Sequence, residues 1–397
     1  MVFVCLAHFA SSYAFPAGAG EVGRYLVAIG MVASPTFVAV SGMVAGFMSV
    51  SLRESYQHFR RKLIDRGVFL LLVGHVLLSF TGTLSWTDFS SSYRIGRITD
   101  AIAIAVIIGP WLVVRLQQKS RFLLAAAIFG LDWCAILFWE PSAGSEVLAK
   151  HYLVGLLNPV DAGVSFLAFP VIPWFAIYLV STVIGVRLGT YYLRDRQRQG
   201  HLLLAKIGLS IFTLGAAVKL TLVLLKHSDP FFAQAHPNLI PFLSSYQKYP
   251  PGPTYLCFYA GAGLLLVAGV LEAQPRGIQT FLLNQLRQIG QASLFSYILH
   301  AQLYGVILQR LHLPYTPFWP FLFVFSLAVL AASARAWNAI DGNRFLTVGI
   351  GPLLERNVLR KRRIRDGKPV LTSPQRALDA PRQTESPVAM GYGPSQP

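Results

Sequence analysis

Apolar runs separated by short basic clusters dominate the chain up to about residue 340. A helix needs about 20 apolar residues to cross a bilayer. Runs of about that length cover 26–50, 64–84, 95–114, 122–139, 166–188, 203–225, 253–271, 288–311 and 318–340. A further run, from Met1 to about Tyr13, is too short to cross, so we expect the chain to begin inside its first helix. The pattern predicts an all-α polytopic membrane protein with about ten transmembrane helices, the first one truncated.

Composition and charge agree with a membrane protein. Hydrophobic residues make up 54% of the chain and charged residues only 13%, with a mean hydropathy of +0.52, whereas a soluble domain carries about 25% charged residues. The net charge of +17 would suit a nucleic-acid-binding protein, but the basic residues lie in short clusters between the apolar runs, so we expect no nucleic acid partner. Cys5, Cys134 and Cys257 have no metal or redox spacing and are expected to be small core residues.

The basic clusters also predict a topology. Most of the 34 lysines and arginines fall in every second loop and in the C-terminal region, and such loops face the cytoplasm. Both termini should therefore be cytoplasmic. We predict a membrane domain over residues 1–350, a basic juxtamembrane segment over 351–365 that contacts anionic lipid, and a polar, disordered tail over 366–397. The short loops favour a bacterial inner (plasma) membrane.

Residues 247–255, Gln-Lys-Tyr-Pro-Pro-Gly-Pro-Thr-Tyr, break the pattern before the run at 253–271. We call this segment the collar. Adjacent prolines lack N–H donors and restrict φ, so no helix passes through it. Irregular backbone at this level is tolerated only where it is buried in protein or lines a wet cavity. The cation of Lys248 and the phenol of Tyr249 are thus candidates for ligand binding; a turn with an interfacial Lys/Tyr anchor is the alternative.

Ionisable side chains within apolar runs are costly, and each is a functional candidate. His8 lies near the outward end of the first run. Arg97 precedes Asp100 by one helical turn, so the two side chains can form an ion pair, which is also their structural alternative. His75 lies in an apolar run, where a hydrogen bond to a neighbouring helix is its simplest role.

A polar stripe follows the run at 288–311. His300 lies near mid-membrane, and its neighbours at helical spacing are Ser293, Ser296, Tyr297 and Tyr304, with Gln302 off that face. Such a stripe is typical of a lined cavity, although a histidine there can also simply bond a neighbouring helix.

Some catalytic classes find no support in the sequence. It has no Gly-rich phosphate loop before a helix, no His/Cys/Asp set with metal spacing and no Gly-x-Ser-x-Gly elbow. We therefore expect neither a metal site nor a serine triad. An imidazole titrates near neutrality, so it can take a proton from an amine or hydroxyl group, or carry an acyl group.

Four stretches of the chain resemble the catalytic domain shared by heparan-alpha-glucosaminide N-acetyltransferase and its bacterial relatives, within the transmembrane acyltransferases. They are Val4-Cys-Leu-Ala-His8; Ser34-Pro-Thr-Phe-Val-Ala-Val-Ser-Gly-Met43; Ile98-Thr-Asp-Ala-Ile-Ala-Ile-Ala105 with Gly109-Pro-Trp111; and Lys248-Tyr-Pro-Pro251 followed by Ala292-Ser-Leu-Phe-Ser-Tyr-Ile-Leu-His300. The stretches span about 300 residues in the family's order, and the last pair is the most distinctive.

The resemblance implies transfer of an acyl group, most simply acetyl from acetyl-CoA, to an amino or hydroxyl group of a sugar on the outer side of the membrane. His8 matches the family's histidine and is expected to be the base or the acyl carrier. Taken with the intramembrane polar residues, this predicts a catalytic set of His8, Asp100 and His300. The predicted substrate-binding residues are Lys248, Tyr249, Arg97, Tyr297 and Gln302.

Arginines near the cytoplasmic ends of spans are candidates for the CoA phosphates, because arginine binds phosphate bidentately. The predicted set is Arg335, Arg287 and Arg61, with plain positive-inside anchoring as the alternative.

Two other functions stay open from the sequence. A secondary transporter of a small polar or sugar-like solute also has about ten spans, intramembrane charges and broken helices, although no pair of interrupted helices recurs in two matching halves. The second is a non-catalytic partner in envelope polysaccharide assembly. The sequence also leaves open whether the chain forms a homodimer.

Overall fold

Helices of membrane-spanning length build the described part of the chain. The computed structural model describes residues 1–16, 18–80, 86–142, 144–159, 161–164, 166, 168–228, 238–246, 248–273, 278–308 and 310–346. Within them, eight helical stretches are long and apolar enough to cross a membrane, and two shorter apolar helices accompany them. In chain order they are α1 (Val2–Ala14, short), α2 (Gly20–Ser51), α3 (Arg53–Phe80), α4 (Phe89–Arg115), α5 (Gln118–Phe138), α6 (Val171–Leu193), α7 (Gln197–Ser228), α8 (Pro253–Glu272), α9 (Ser293–Leu308, short) and α10 (Trp319–Ala339). The predicted fold class is confirmed.

Several of these stretches contain breaks. α1 ends in a π-helical turn at Ala10–Ala14, and α3 contains another at Leu70–Gly74. α2 consists of Gly20–Gly30 and Ala33–Ser51, and the regular helix of α4 is Ile98–Arg115. Shorter helices at Ser145–Leu153, Leu239–Ser244, Ile278–Gln291 and Asn343–Leu346 connect or follow the long ones.

The structure corrects some predicted boundaries. α6 begins at Val171 rather than 166, directly after Pro170, because the residue before a proline disfavours the α conformation. The run at 288–311 is two elements: one helix ends at Gln291 and α9 begins at Ser293. Gly290, a poor helix former, precedes this break. Residues 81–84 of the run at 64–84 lie outside the described residues.

Glycines let the helices approach each other closely. A Cβ atom on Gly46 of α2 would lie 2.0 Å from the carbonyl oxygen of Thr182 in α6, and one on Gly185 of α6 would lie 2.0 Å from that of Met43. A Cβ atom on Gly30 would lie 2.6 Å from the Ala7 Cβ atom in α1. Small residues at crossings are how membrane helices associate, since lipid supplies little hydrophobic drive. The last contact fixes the helix that carries His8.

Buried side chains form two main clusters. One joins α2, α4, α6 and α8, with Trp174, Tyr178 and Tyr255 at its centre. The other joins α1, α9 and α10 around Phe9 and Tyr304. The helix segments that carry His8 and His300 contribute Cys5, Phe9 and Tyr304 to the second cluster, whereas Tyr297 of α9 packs against the first.

The outer faces of the helices carry large apolar side chains, as contact with lipid requires. Phe321 is 73% exposed, Leu131 71% and Phe138 78%. Cys134 is exposed on the same helix as the last two, so the expectation of a core cysteine is wrong there, whereas Cys5 is fully buried. The structure thus supports a bilayer environment, while the orientation of the termini and the type of membrane stay predictions.

All described residues belong to one compact unit. The predicted juxtamembrane segment (351–365) and tail (366–397) lie outside the described residues.

Candidate functional site

Two histidines from separate helices meet between α1 and α9. The ring centroids of His8 and His300 are 4.9 Å apart, with an angle of 71° between the ring planes. His8 is exposed, although its neighbours Cys5 and Phe9 are fully buried. His300 is 1% exposed, and neither of its ring nitrogens has a hydrogen-bond partner among the described residues. The pair therefore joins an exposed histidine to a buried one that has unused hydrogen-bonding capacity.

Two cations approach this pair from other parts of the chain. Both Lys248 and Arg97 interact electrostatically with His8. The ammonium of Lys248 lies 5.2 Å from the ring centroid of Phe169 and 5.0 Å from that of Tyr249, a cation–π arrangement that holds it in place. Tyr297 completes the group, because its ring centroid is 4.8 Å from that of His300.

Arg97 is the link between the two sides of the site. Its guanidinium donates a hydrogen bond to the Ser92 hydroxyl at 2.8 Å. It also interacts electrostatically with Tyr249 of the collar and Tyr297 of α9. The structure thus brings His8, His300, Tyr297, Arg97, Lys248 and Tyr249 into one neighbourhood.

Close backbone contacts hold the collar beside Arg97. The Phe169 N–H donates to the Gly96 carbonyl at 2.9 Å, which ties the residue before Arg97 to the ring that faces Lys248. A Cβ atom on Gly155, which has φ +99°, would lie 2.8 Å from the Pro250 Cβ atom, so only a glycine fits against the collar. The prediction that no helix passes through the collar is confirmed for residues 248–252, since α8 begins at Pro253. Gln247 lies outside the described residues.

Asp100 does not form the predicted ion pair with Arg97. Its Oδ2 accepts from the Arg97 backbone N–H at 2.7 Å, which caps the helix that starts at Ile98, and lies 2.9 Å from His75 Nδ1. Among the described residues, no Arg97 side-chain nitrogen lies within 4.0 Å of the carboxylate. The physical reason is local: an acidic residue in the first turn satisfies a free N–H group, and the half-buried His75 is nearer than the guanidinium.

His75 is thereby more than a lone intramembrane histidine. Its Nε2 lies 2.8 Å from the Tyr93 carbonyl oxygen while Nδ1 faces Asp100. Both partners accept hydrogen bonds, so an ionised Asp100 requires a doubly protonated His75. The contact between Nδ1 and Oδ2 joins α3 to the start of the regular helix of α4, and Asp100 Oδ1 stays buried without a described partner.

The remaining predicted residues lie apart from this neighbourhood. Gln302 is half-buried, and no hydrogen bond within the described ranges joins it to the histidines. Arg335, Arg287 and Arg61 are exposed. Arg287 and Arg335 lie on two helices joined by a 2.6 Å hydrogen bond from Asn338 to the Gln288 side chain, and Arg61 lies on α3 without a described contact to either.

No family model matches the chain, and no curated protein or solved structure matches it.

Lys248 lies between α7 and α8, outside the spanning helices, and desolvation lowers its pKa to about 8 from the ordinary 10.5. Between these values the unfolded chain holds a proton that the folded protein has released, so stability rises with pH over about 8 to 10.5. We expect Lys248→Met to remove this pH dependence. At neutral pH the substitution should raise the free energy of unfolding by on the order of 1–3 kcal/mol, because a desolvated charge is removed. The loss of the cation–π contact reduces this gain.

The measurement is the thermal midpoint of both proteins in detergent from pH 7 to 10.5. Lys226→Met, which removes an exposed lysine at the end of α7, is the matched control and should leave the slope unchanged. An unaltered slope in Lys248→Met would mean that the Lys248 ammonium is not desolvated in the fold.

Proposed function

We propose that this protein is an integral membrane acyltransferase that moves an acyl group, most simply acetyl from acetyl-CoA, to an amino or hydroxyl group of a sugar. The observation that carries the proposal is the contact between exposed His8 and buried His300, with Lys248 and Arg97 in electrostatic range of His8. The sequence resemblance to the heparan-alpha-glucosaminide N-acetyltransferase domain supports the same reaction.

In the direct form of the reaction, a His8 ring nitrogen acts as general base. It takes the proton from the acceptor amine or hydroxyl group as that group attacks the thioester carbonyl carbon. The new C–N or C–O bond forms, the C–S bond breaks, and the proton passes from His8 to the leaving thiolate. The positive charges of Lys248 and Arg97 stabilise the negative charge that develops on the carbonyl oxygen.

In the covalent form, the His8 nitrogen itself attacks the thioester and the C–S bond breaks to release CoA. The other ring nitrogen gives its proton to the CoA thiolate, which leaves a neutral acetyl-imidazole. The amine or hydroxyl group of the sugar then attacks the acyl carbon, the bond from that carbon to His8 breaks, and the proton of the attacking group returns to the imidazole. His300 serves either form, because a ring nitrogen without a described partner can bond His8 or the acceptor and select one ring orientation.

The other residues position these groups. Asp100 caps α4 and pairs with His75, so we assign it to holding Arg97 rather than to proton transfer. Tyr249 and Tyr297 flank the cations and supply hydroxyl groups for an acceptor sugar. Gln302 remains a substrate-binding candidate. Arg335, Arg287 and Arg61 remain candidates for the CoA phosphates on the predicted cytoplasmic side, and the acceptor is proposed to enter from the outer side.

The test is release of CoA by the purified protein in lipid nanodiscs. With acetyl-CoA and glucosamine-terminated oligosaccharides, we expect acceptor-dependent release of free thiol, followed with a thiol reagent. A transporter or a non-catalytic assembly partner would release none. Failure with donors from acetyl to palmitoyl and with both amino and hydroxyl sugars would overturn the proposal.

The direct and covalent forms of the reaction give different results when no acceptor is present. Incubation with radiolabelled acetyl-CoA alone should leave label on the protein only in the covalent form. Because acetyl-imidazole reacts with hydroxylamine at neutral pH, that treatment should release the label. If no label is retained while transfer proceeds, the direct form is correct.

A further inference from the structure

A second polar cluster lies at the ends of α3, α4 and α5, on the predicted cytoplasmic side. Its centre is Arg121, in the first turn of α5, which is only 3% exposed. One guanidinium nitrogen, Nη1, donates to the Thr182 hydroxyl at 2.8 Å, but Nε is buried and has no hydrogen-bond partner among the described residues. A buried guanidinium without a counter-charge is costly.

Arg60 of α3 adds a second cation. Its guanidinium carbon lies 4.2 Å from the ring centroid of Trp111, and its Nε is also buried without a described partner. Both arginines interact electrostatically with Tyr56, whose hydroxyl group is buried and unpaired within the described ranges. Within those ranges, no carboxylate lies within 4.0 Å of either arginine.

Membrane anchoring does not explain this arrangement. Anchoring arginines and lysines extend outward to the lipid headgroups, and the neighbouring Arg115 and Lys119 are exposed, as that role requires. Arg121 instead faces the protein interior against α6, where it cannot reach a headgroup without leaving Thr182. The positive charge of Arg121 is therefore positioned to bind an anionic ligand inside the protein.

The N-terminus of α5 adds further donors. The helix begins at Gln118, and no side chain caps its first N–H groups. Free N–H groups and the helix dipole at such an end favour anions. Together the cluster offers two arginines, a phenol and helix N–H groups, which are the donors that bind a phosphate group.

We propose that Arg60, Arg121, Tyr56 and the N-terminus of α5 form a phosphate-binding site. If the proposed acyltransferase function holds, its ligand is the phosphorylated adenosine end of the acyl donor. This assignment rests on the proposed function, and it adds Arg60 and Arg121 to the exposed Arg335, Arg287 and Arg61 as candidate contacts of the donor phosphates. The site itself requires only phosphate chemistry.

The test uses the full chain in detergent and adenosine 3′,5′-bisphosphate as the probe, with binding measured by calorimetry. We expect saturable binding that Arg121→Gln weakens at least tenfold, because a charge-assisted bidentate contact is lost. The matched control is Lys119→Gln, which removes one exposed positive charge from the same helix end and should leave the affinity within about twofold, since an exposed charge contributes little. Equal thermal midpoints or a higher midpoint for Arg121→Gln would show that the variant is folded.

A second arm identifies the source of the phosphate. If nanodiscs containing phosphatidylglycerol stabilise the wild-type protein more than Arg121→Gln and the nucleotide does not, the phosphate belongs to a lipid headgroup. The site is overturned if neither probe distinguishes Arg121→Gln from Lys119→Gln. Because the readout is binding, a protein that binds the nucleotide but releases no CoA would contradict the proposed function and leave the site standing.

Discussion

Replacing His8 by alanine is expected to lower the rate of acceptor-dependent CoA release by about 10²–10⁴-fold, the usual contribution of a positioned acid–base group. His8 is the exposed member of the histidine pair and interacts electrostatically with both Lys248 and Arg97. No other described histidine interacts electrostatically with both of those cations. The measurement is thiol release at saturating acetyl-CoA, so that the loss is assigned to kcat.

The matched control is His227→Ala, which removes another exposed histidine at the end of α7 and should retain full activity. His300→Gln should also lower kcat, because its ring contacts His8, while a side chain that still donates and accepts hydrogen bonds keeps part of the effect. An active His8→Ala protein would remove both forms of the mechanism.

Replacing Gly46 by leucine is expected to prevent α2 from docking on α6. A single Cβ atom there would already lie 2.0 Å from the Thr182 carbonyl oxygen, and backbone cannot yield as a side chain can. Overpacking inside a core costs about 1–3 kcal/mol, and contact with backbone places this variant at or beyond the upper end. We expect the monodisperse peak in size-exclusion chromatography to be largely lost and any remaining protein to melt at lower temperature.

Gly130→Leu is the matched control, because it makes the same substitution in a spanning helix where nothing lies within 4 Å of an added Cβ atom. That variant should elute and melt like the wild-type protein. If Gly46→Leu did the same, the close α2–α6 crossing would be wrong. Since Thr182 also bonds Arg121, a shifted crossing would weaken the proposed phosphate site as well.

The collar shows how far local chemistry reaches. Consecutive prolines exclude helix wherever they occur, so the break at Lys248-Tyr-Pro-Pro251 followed from the residues alone. The position of the Lys248 ammonium could not be predicted in the same way. It depends on Phe169, whose ring faces Lys248 and whose backbone bonds Gly96, and no sequence signal marked that phenylalanine among the chain's 27.

The contact between Asp100 and His75 could not be predicted from local sequence. Helical spacing predicted Arg97 one turn from Asp100 on the same face, but the helix begins at Ile98 and Arg97 precedes it in an extended conformation. Spacing within one helix also says nothing about a histidine from another. Arg121 is likewise one of the basic residues between apolar runs from which the topology is predicted, and its burial against α6 is invisible in a list of charges. A hydropathy pattern distinguishes membrane from water, not protein interior from lipid.

The amino-acid sequence by itself determined that the chain is a bundle of apolar helices, roughly where along the chain they lie, and which side chains are chemically unusual in such a bundle. These features depend on neighbouring residues, through the length needed to cross a bilayer and the conformational limits of proline. Only the tertiary structure decided that His8 meets His300, that Asp100 bonds His75 rather than the Arg97 guanidinium, and that Arg121 is buried. Those contacts depend on close helix crossings, such as the one where Gly46 of α2 packs against α6. Residues far apart in the chain can approach there because glycine has no side chain beyond a hydrogen atom.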